Sequence, residues 1–248
     1  MRNIVEQFLM LLQFMTRIPV FLKIEYSEEK LARGMRFFPM VGLIIGTILF
    51  WEGSFLLNIV ENRQIVALLT IITEIIITGL IHIDGLADTF DGLFSYTTKE
   101  KILEIMKDSR IGTNGAVILI LYFLCKMILL SEIMAIDMKY LIIYPVISRL
   151  STSLNTAFGK YARDKGMSAE IIAMNTGNDG IFSFILTLIT VFIIKGVKGI
   201  LSLLLGLIFI FLFRWEVYRK IDGVTGDTMG ASLELTAIII LIAGVILK

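Results

Sequence analysis

Long apolar runs separated by charged loops dominate the pattern of the chain. Seven runs approach the length of about 20 residues that a membrane-crossing helix needs. They lie at 37–60, 64–83, 115–136, 140–159, 181–195, 198–213 and 231–247. A re-entrant hairpin is an alternative for the two short runs that Lys195 and Lys198 separate. The pattern predicts an all-α, polytopic membrane bundle of about seven transmembrane helices, built as a single domain over residues 1–248.

The first 20 residues follow a different pattern. Apolar side chains at 4, 5, 8, 9, 11, 12 and 15 recur at helical spacing, while Glu6, Gln7 and Gln13 interrupt them. No small-residue cleavage site follows, so the segment is unlike a signal peptide. The pattern predicts an N-terminal amphipathic helix that lies on the membrane or packs on the bundle.

Composition and charge narrow the class of protein. Of the 248 residues 56% are hydrophobic and 18% are charged, with one Cys, one His and a formal charge of +1. These values exclude a disulfide scaffold, a disordered chain, a Cys/His zinc module and a basic nucleic-acid binder. Most of the 23 Lys and Arg residues lie in the first segment and in alternate loops. By the positive-inside rule, the long loops at 84–114, 160–180 and 214–230 face the cytoplasm.

Three aspartates follow the second apolar run. Asp84, Asp88 and Asp91 are spaced four and three apart, which places them within an arc of about 60° on one helix face. Like charges at this spacing repel each other, and a charge at bilayer depth costs about 2.5–3.5 kcal/mol. A bound divalent cation would neutralise the row, and Mg²⁺ typically takes one or two carboxylates together with substrate phosphates. The alternative is a solvated helix start whose carboxylates face water.

Two neighbours of this row have less certain roles. His82, the only histidine, lies about 160° from Asp84 on a continuous helix. It is either a satisfied interior residue or a contact to substrate. Gly85, directly after Asp84, has no Cβ and would let a bulky ligand approach the backbone.

A basic segment at 101–115 supplies a candidate site for phosphate. It reads as an amphipathic helix that runs into a glycine-bounded turn. Arg110 offers a planar fork for phosphate oxygens. The next helix, beginning near Gly115, could present free N–H groups to an anion. The alternative is a solvated helix followed by a loop.

Further charged residues lie in or beside the later runs. Asp227 and Glu234 are seven apart and share one face of a helix. Asp227 either caps that helix or adds a second acidic group to a metal or a substrate hydroxyl. Arg149 lies within the fourth run and needs a partner there, either Glu74 or a bound phosphate.

Cytoplasmic carboxylates on a membrane helix, together with nearby arginine and glycine loops, indicate phosphoryl-type chemistry on an amphiphilic substrate. Metal would neutralise a diphosphate while a hydroxyl attacks in line. Two other classes of protein fit the same residues. One is another Mg²⁺-dependent membrane phosphotransferase or prenyltransferase, and the other is a cation-coupled transporter. Transporters commonly carry repeated halves and midplane charges, whereas this chain has no repeat and its carboxylates cluster at one side.

Several sequence blocks resemble those of the adenosylcobinamide-GDP ribazoletransferases, the cobalamin synthases. They are GLIHIDGLADTFDGLFS (79–95), LQFMTRIPV (12–20), Arg33-Gly34 with FPMVG (38–42), the segment 101–115, Ser148-Arg149, Tyr161 to Arg163 and the segment 223–235. They cover about a third of the chain in the expected order. The HIDGLADTFDG and VTGDTMGASLE blocks are the most specific, and residues 166–213 carry no matching motif.

The resemblance implies an integral membrane, Mg²⁺-dependent transferase. Members of the family join adenosylcobinamide-GDP to α-ribazole or α-ribazole phosphate and release GMP, in the last steps of cobalamin biosynthesis. Together with the positive-inside pattern, the resemblance implies an enzyme of the cytoplasmic (inner) membrane whose active site faces the cytoplasm. The expected partners are these substrates and the lipid bilayer, without nucleic acid, and an oligomer is compatible with the sequence.

The expected site combines these residues with that reaction. Asp84, Asp88 and Asp91 are expected to hold Mg²⁺ against the diphosphate, and one of them or Asp227 accepts the hydroxyl proton. Substrate contacts are expected from a larger set of side chains, with Arg110 foremost for the phosphate oxygens. That set is Arg17, His82, Lys107, Arg110, Arg149 and Glu234.

Overall fold

The structure is a computed structural model that describes the backbone of residues 2–247 and the side chains of residues 3–247. About 80% of the chain is helical, and the described part contains no strand. The helices are α1 (Arg2–Met15), α2 (Glu28–Gly34), α3 (Phe38–Leu56), α4 (Arg63–Thr78), α5 (Ile81–Leu93), α6 (Lys99–Ile105), α7 (Thr113–Ile136), α8 (Tyr140–Phe158), α9 (Met167–Met174), α10 (Gly177–Ile221) and α11 (Gly226–Ile246). A short 3₁₀ helix, Met35–Phe37, joins α2 to α3. The predicted all-α membrane architecture is confirmed.

Helix α8 occupies the centre of the bundle, where it packs against α3, α10 and α11. Small residues on α3 allow its backbone to approach that of α8 closely. A Cβ added at Gly42 would collide with the carbonyl of Pro145, and one at Gly46 would lie 2.7 Å from the Cα of Ile142. Larger side chains at these two positions would therefore separate α3 from α8.

The count of seven membrane helices is not confirmed. Within residues 2–247, four helical runs are long and apolar enough to cross a membrane, namely Glu28–Leu56, Thr113–Ile136, Gly177–Ile221 and Gly226–Ile246. The bent pair Arg63–Thr78 and Ile81–Leu93 raises the number to five if it forms one span. The predicted run at 140–159 does form α8, but polar side chains such as Ser148 and Arg149 lower its hydropathy. These side chains are buried against neighbouring helices. Because α8 is covered by protein, its surface does not need to be as apolar as that of a helix that faces lipid.

The run predicted at 64–83 is interrupted. Helix α4 ends at Gly79, whose φ of 69° is left-handed, and Leu80 follows with a φ of 67°. The chain bends by 95° there, so His82 and Asp84 belong to the separate helix α5. Glycine tolerates the left-handed conformation at little cost, but a branched apolar residue such as Leu80 rarely adopts it.

The two short runs predicted at 181–195 and 198–213 both lie within α10, which is broken at Gly196. Gly196 has a φ of 60° and a ψ of −136°, a backbone conformation that does not occur in a continuous helix. A Cβ added at Gly199 would collide with the carbonyl of Val191, eight residues earlier in the chain. A straight helix separates such residues by about 12 Å, so the two halves, 177–195 and 197–221, turn back on each other.

Helix α1 has the amphipathic character that the sequence predicts. Leu11, Leu12 and Met15 are buried, whereas Ile4 and Val5 on its first turns are exposed. It packs on α2, and a Cβ at Gly34 would lie 2.6 Å from the carbonyl oxygen of Gln7. The helix therefore covers one end of the bundle with its apolar face.

Candidate active site

The three aspartates of the predicted row lie on α5. Asp84 is exposed, whereas Asp88 and Asp91 are partly buried. Asp84 and Asp88 are one turn apart, so their Cβ atoms are about 5–6 Å from each other. The helix therefore presents a row whose first carboxylate is open to solvent and whose other two are partly covered.

Helix α11 lies directly against α5 at this row. A Cβ added at Gly85 would lie 2.8 Å from the carbonyl oxygen of Asp227, and one at Gly230 would lie 3.2 Å from the Cα of His82. The glycine that the sequence left open for a ligand therefore accommodates a neighbouring helix. This contact brings Asp227 beside the α5 row, so Asp88 lies within electrostatic range of Asp84, Asp91 and Asp227.

Asp84, Asp88, Asp91 and Asp227 together form what we call the acidic group. An arginine from the loop after α8 joins it. The Nη2 of Arg163 lies 2.8 Å from the Oδ2 of Asp227, and its charge also acts on Asp88. The loop is fixed to the start of α11, because the N–H of Ala162 donates to the carbonyl of Val224 at 2.9 Å. The cap of α11 is Thr225, whose side chain accepts from the N–H of Thr228. Asp227, a candidate for that cap, is thus available for the ion pair.

Asp91 caps a helix other than its own. Its two carboxylate oxygens accept hydrogen bonds from the N–H groups of Gly112 and Gly115, at 2.7 and 2.8 Å. These N–H groups belong to the start of α7, whose cap residue, Gly112, has no side chain to do this. The sequence offered this helix start as a candidate phosphate site, with a solvated helix and loop as the alternative, and in the structure the carboxylate of Asp91 occupies these N–H groups instead.

We expect Asp91→Ala to lower the free energy of unfolding by about 1–2 kcal/mol, the usual cost of removing a helix N-cap. Thermal unfolding in detergent, without substrate or added metal, measures this effect. Asp164→Ala, at an exposed position of the loop after α8, is the matched control. An unchanged unfolding midpoint for Asp91→Ala would show that its carboxylate is dispensable for α7.

Within residues 2–247, no three His, Cys, Asp or Glu side chains converge closely enough to bind a metal ion by themselves. The ion pairs of the described residues include Asp227 but neither Asp84 nor Asp88. Two unpaired carboxylates one helical turn apart match the donor set of Mg²⁺, which takes its remaining ligands from water and phosphate. The residues present therefore fit a cation that arrives with a phosphorylated ligand.

The predicted phosphate contacts lie around the same end of the bundle. Arg110 is exposed and forms a two-pronged ion pair with Asp108, and its hydrogen bonds hold the pKa of Asp108 at about 2. Arg110 and Asp91 line one surface cavity, of about 350 Å³. Lys107 and Arg163 line another, of about 430 Å³. Three basic side chains, Arg110, Lys107 and Arg163, thus border clefts at this end of the bundle.

Arg17 lies at the link between α4 and α5. Its side chain packs against the link between α4 and α5, where a Cβ at Gly79 would lie 2.9 Å from the Arg17 Nε. Its backbone N–H donates to the carbonyl of Ile77 at 2.7 Å. These contacts place Arg17 at the bend that sets the direction of α5.

Glu234 lies in the interior, in a cluster of ionic and phenolic side chains that joins four helices. The Nζ of Lys126 lies 2.8 Å from Glu74 and donates to the hydroxyl of Tyr122 at 2.6 Å. Tyr122 donates in turn to Glu234, and Tyr144 donates to Glu74 at 2.8 Å. We call these five residues the interior ion cluster. Glu234 lies two turns after Asp227 on α11, and its carboxylate is bound by other side chains of the protein.

Arg149 lies beside the interior ion cluster and is 1% exposed. Its Nη1 donates to the carbonyl of Pro145 at 3.2 Å, and its guanidinium lies 5.9 Å from the centre of the Phe38 ring. Arg149 acts electrostatically on Glu74, but the ion pair of Glu74 is formed with Lys126. Of the two alternatives for Arg149, the ion pair with Glu74 is therefore formed by Lys126 instead, and a contact to phosphate stays a prediction.

The sequence reasoning missed two groups of residues. Arg163 belongs to a recognised sequence block, but no spacing argument connected it with Asp227. Lys126 was visible as a charge within an apolar run, and so was Glu74. Their pairing follows only from the contact between α4 and α7, which the sequence pattern does not specify.

Comparison with known proteins gives a consistent result over almost the whole chain. A family model described as cobalamin-5-phosphate synthase matches residues 7–245. An adenosylcobinamide-GDP ribazoletransferase of Fusobacterium nucleatum is 41% identical over 94% of both chains. Proteins of the same name from Clostridium novyi and Clostridioides difficile are each 36% identical, over 96% of both chains. No solved structure matches the chain.

A family match of this extent includes the α5 row, the loop that carries Arg163 and the start of α11. The similarity therefore covers each element that forms the acidic group. The chain belongs to the cobalamin-5-phosphate synthase family.

Proposed function

We propose that this chain joins adenosylcobinamide-GDP to α-ribazole or α-ribazole phosphate and releases GMP. Membership of the family and the shared name of its relatives support this reaction. One structural observation supports it most directly. Unpaired carboxylates on α5 meet Asp227 and Arg163 at one end of a membrane bundle, which suits a substrate that is a diphosphate.

The reaction is a substitution at phosphorus. The ribose hydroxyl oxygen of α-ribazole attacks the phosphorus that carries cobinamide, and the bond from this phosphorus to the bridging oxygen of the diphosphate breaks. GMP leaves with the bridging oxygen, and the hydroxyl proton passes to a carboxylate oxygen of the acidic group. The product is a phosphodiester between cobinamide and the ribose.

Asp84 and Asp88 are proposed to hold Mg²⁺, since they have no ion-pair partner among the described side chains. A bound Mg²⁺ would neutralise charge on the diphosphate and on the departing GMP. Asp91 adds its negative charge to the row while it caps α7. Asp227 is held in place by Arg163.

Arg163 is proposed as a contact to phosphate oxygens, in addition to the predicted Arg110, Lys107 and Arg17. Its guanidinium has further donors beyond the one engaged by Asp227, because arginine carries five N–H groups. It also shares a cleft of about 430 Å³ with Lys107. Arg110 would exchange Asp108 for phosphate, since both bind the same fork.

The site is proposed to face the cytoplasm from the inner membrane. Two loops border the acidic group. One carries Lys107 and Arg110, and the other carries Arg163. A larger share of Lys and Arg on one side is typical of cytoplasmic loops. A cytoplasmic orientation would give the site direct access to nucleotide substrates.

The proposal is tested on purified protein in nanodiscs, incubated with adenosylcobinamide-GDP and α-ribazole phosphate. With Mg²⁺ we expect equimolar GMP and corrinoid product, detected by mass. With EDTA in place of Mg²⁺ we expect GMP release to fall by at least about a hundredfold, because the diphosphate charge is then unscreened. Turnover that persists in EDTA would contradict the metal assignment, and absence of GMP in either condition would contradict the reaction.

A further inference from the structure

A cavity of about 250 Å³ opens beside Asp84 and Asp227 and extends inward between α5, α8, α9 and α11. Its walls are largely apolar, formed by Phe14, Met15, Met35, Met167, Ile171 and Met229. Methionine side chains make favourable sulfur contacts with aromatic rings and adapt to their shape. The cavity is therefore suited to a flat aromatic ring that enters from the side where Asp84 and Asp227 lie.

Two buried polar side chains that line this cavity each carry an atom with no hydrogen-bond partner among residues 3–247. His82 is 7% exposed and its Nδ1 is unpaired, and Thr152 is 4% exposed and its Oγ1 is unpaired. Both side chains line the cavity. Buried polar groups in folded proteins are almost always hydrogen-bonded to protein, water or ligand, so two unpaired groups in one cavity mark the positions where a bound ligand would find polar partners.

We propose that this cavity binds the base of α-ribazole, the acceptor substrate; this assignment rests on the proposed function. The base is a planar bicycle with two methyl groups and one ring nitrogen that accepts a hydrogen bond. The hydroxyl of Thr152 is a donor that can pair with this nitrogen, whose single lone pair leaves the Nδ1 of His82 to pair with the ribose or with water. The methionine-rich walls cover the methylated ring.

The size of the cavity indicates which of the two substrates it can accommodate. Cavities that hold drug-sized ligands measure about 300–1,000 Å³, so one of about 250 Å³ accommodates a bicyclic base but not a corrin ring. With the base inside, the ribose lies at the opening, beside Asp84 and Asp227. This position brings the attacking hydroxyl to the carboxylates that face the diphosphate.

The test measures the binding of α-ribazole alone, by equilibrium dialysis with protein in nanodiscs. Thr152→Val keeps the shape of the side chain and removes its donor, so we expect the Kd to rise about three- to tenfold, the usual effect of one neutral hydrogen bond. Thr187→Val, at a position that is also buried but lies on α10 and outside the cavity, should leave the Kd unchanged. An analogue with carbon in place of the ring nitrogen should bind equally to wild type and Thr152→Val, which a merely structural role of Thr152 would not produce.

A second variant covers the case in which Thr152→Val fails to fold. Ser168→Phe adds bulk to the cavity from the partly exposed helix α9 and should also weaken α-ribazole binding. In turnover assays, both variants should raise the KM for α-ribazole and leave the KM for adenosylcobinamide-GDP unchanged. Unchanged α-ribazole binding in both variants would overturn the proposed subsite. Normal α-ribazole binding by a wild type that releases no GMP would overturn the proposed function and leave the subsite supported.

Discussion

Asp84→Asn and Asp88→Asn are each expected to lower GMP release by about 10²–10³-fold, the range found when a group that stabilises transition-state charge is removed. Asparagine keeps the size of the side chain but loses the charge that holds a cation. Asp84 is exposed and Asp88 partly buried, so neither change removes an ion pair on which the fold depends. The expected loss is therefore in turnover, measured as GMP formed in nanodiscs at saturating substrate.

Asp137→Asn serves as the matched control for these two variants. Asp137 follows α7 at the end opposite to Gly112 and pairs with Lys195, so the same chemical change occurs far from the acidic group. Its turnover should remain close to that of the wild type. Near wild-type rates for both Asp84→Asn and Asp88→Asn would refute the metal assignment, whereas equal losses in all three would indicate a general effect on folding.

Among the proposed variants, Lys126→Met should cause the largest decrease in the free energy of unfolding. Lys126 is 3% exposed and is the cation of the interior ion cluster, 2.8 Å from Glu74 and 3.8 Å from Glu234. Methionine has a similar volume but leaves Glu74 and Glu234 buried without their ion-pair partner. Breaking a buried ion pair in this way costs about 3–5 kcal/mol. We expect a corresponding drop in the thermal unfolding midpoint in detergent.

The double variant Lys126→Met with Glu74→Gln separates the loss of charge balance from the loss of packing. Removing the charge of Glu74 as well should recover a part of the stability, because one unpaired carboxylate then remains instead of two. Lys101→Met, at an exposed position on α6, should leave the midpoint unchanged. If the double variant is no more stable than Lys126→Met, the effect arises from packing and the ionic explanation is wrong.

The sequence predicted the helices more reliably than their arrangement. Apolar runs located α3, α7, α8 and α11 to within a few residues, because hydrophobic length is a local property of the chain. The 95° bend at Gly79 and Leu80 was not predicted. Apolar residues continue across it, and only the left-handed backbone at those two positions ends the helix.

The candidate site was predicted in part for the same reason. The spacing of Asp84, Asp88 and Asp91 defines one face of one helix, which the sequence alone can specify. The helix-capping contact from Asp91 to Gly112 and the ion pair between Arg163 and Asp227 join separate elements. Such contacts depend on tertiary packing, and hydrophobic periodicity carries no information about them.

The contact of Gly85 with Asp227 also has a consequence for biosynthesis. It joins the fifth helix to the last one, and chains are synthesised and inserted from the N-terminus onwards. A nascent protein therefore carries its aspartate row through most of translation with the α11 side of that row still open. The complete site arises only when the final helix enters the membrane, so a ribosome that stalls before residue 226 leaves an inserted but inactive product.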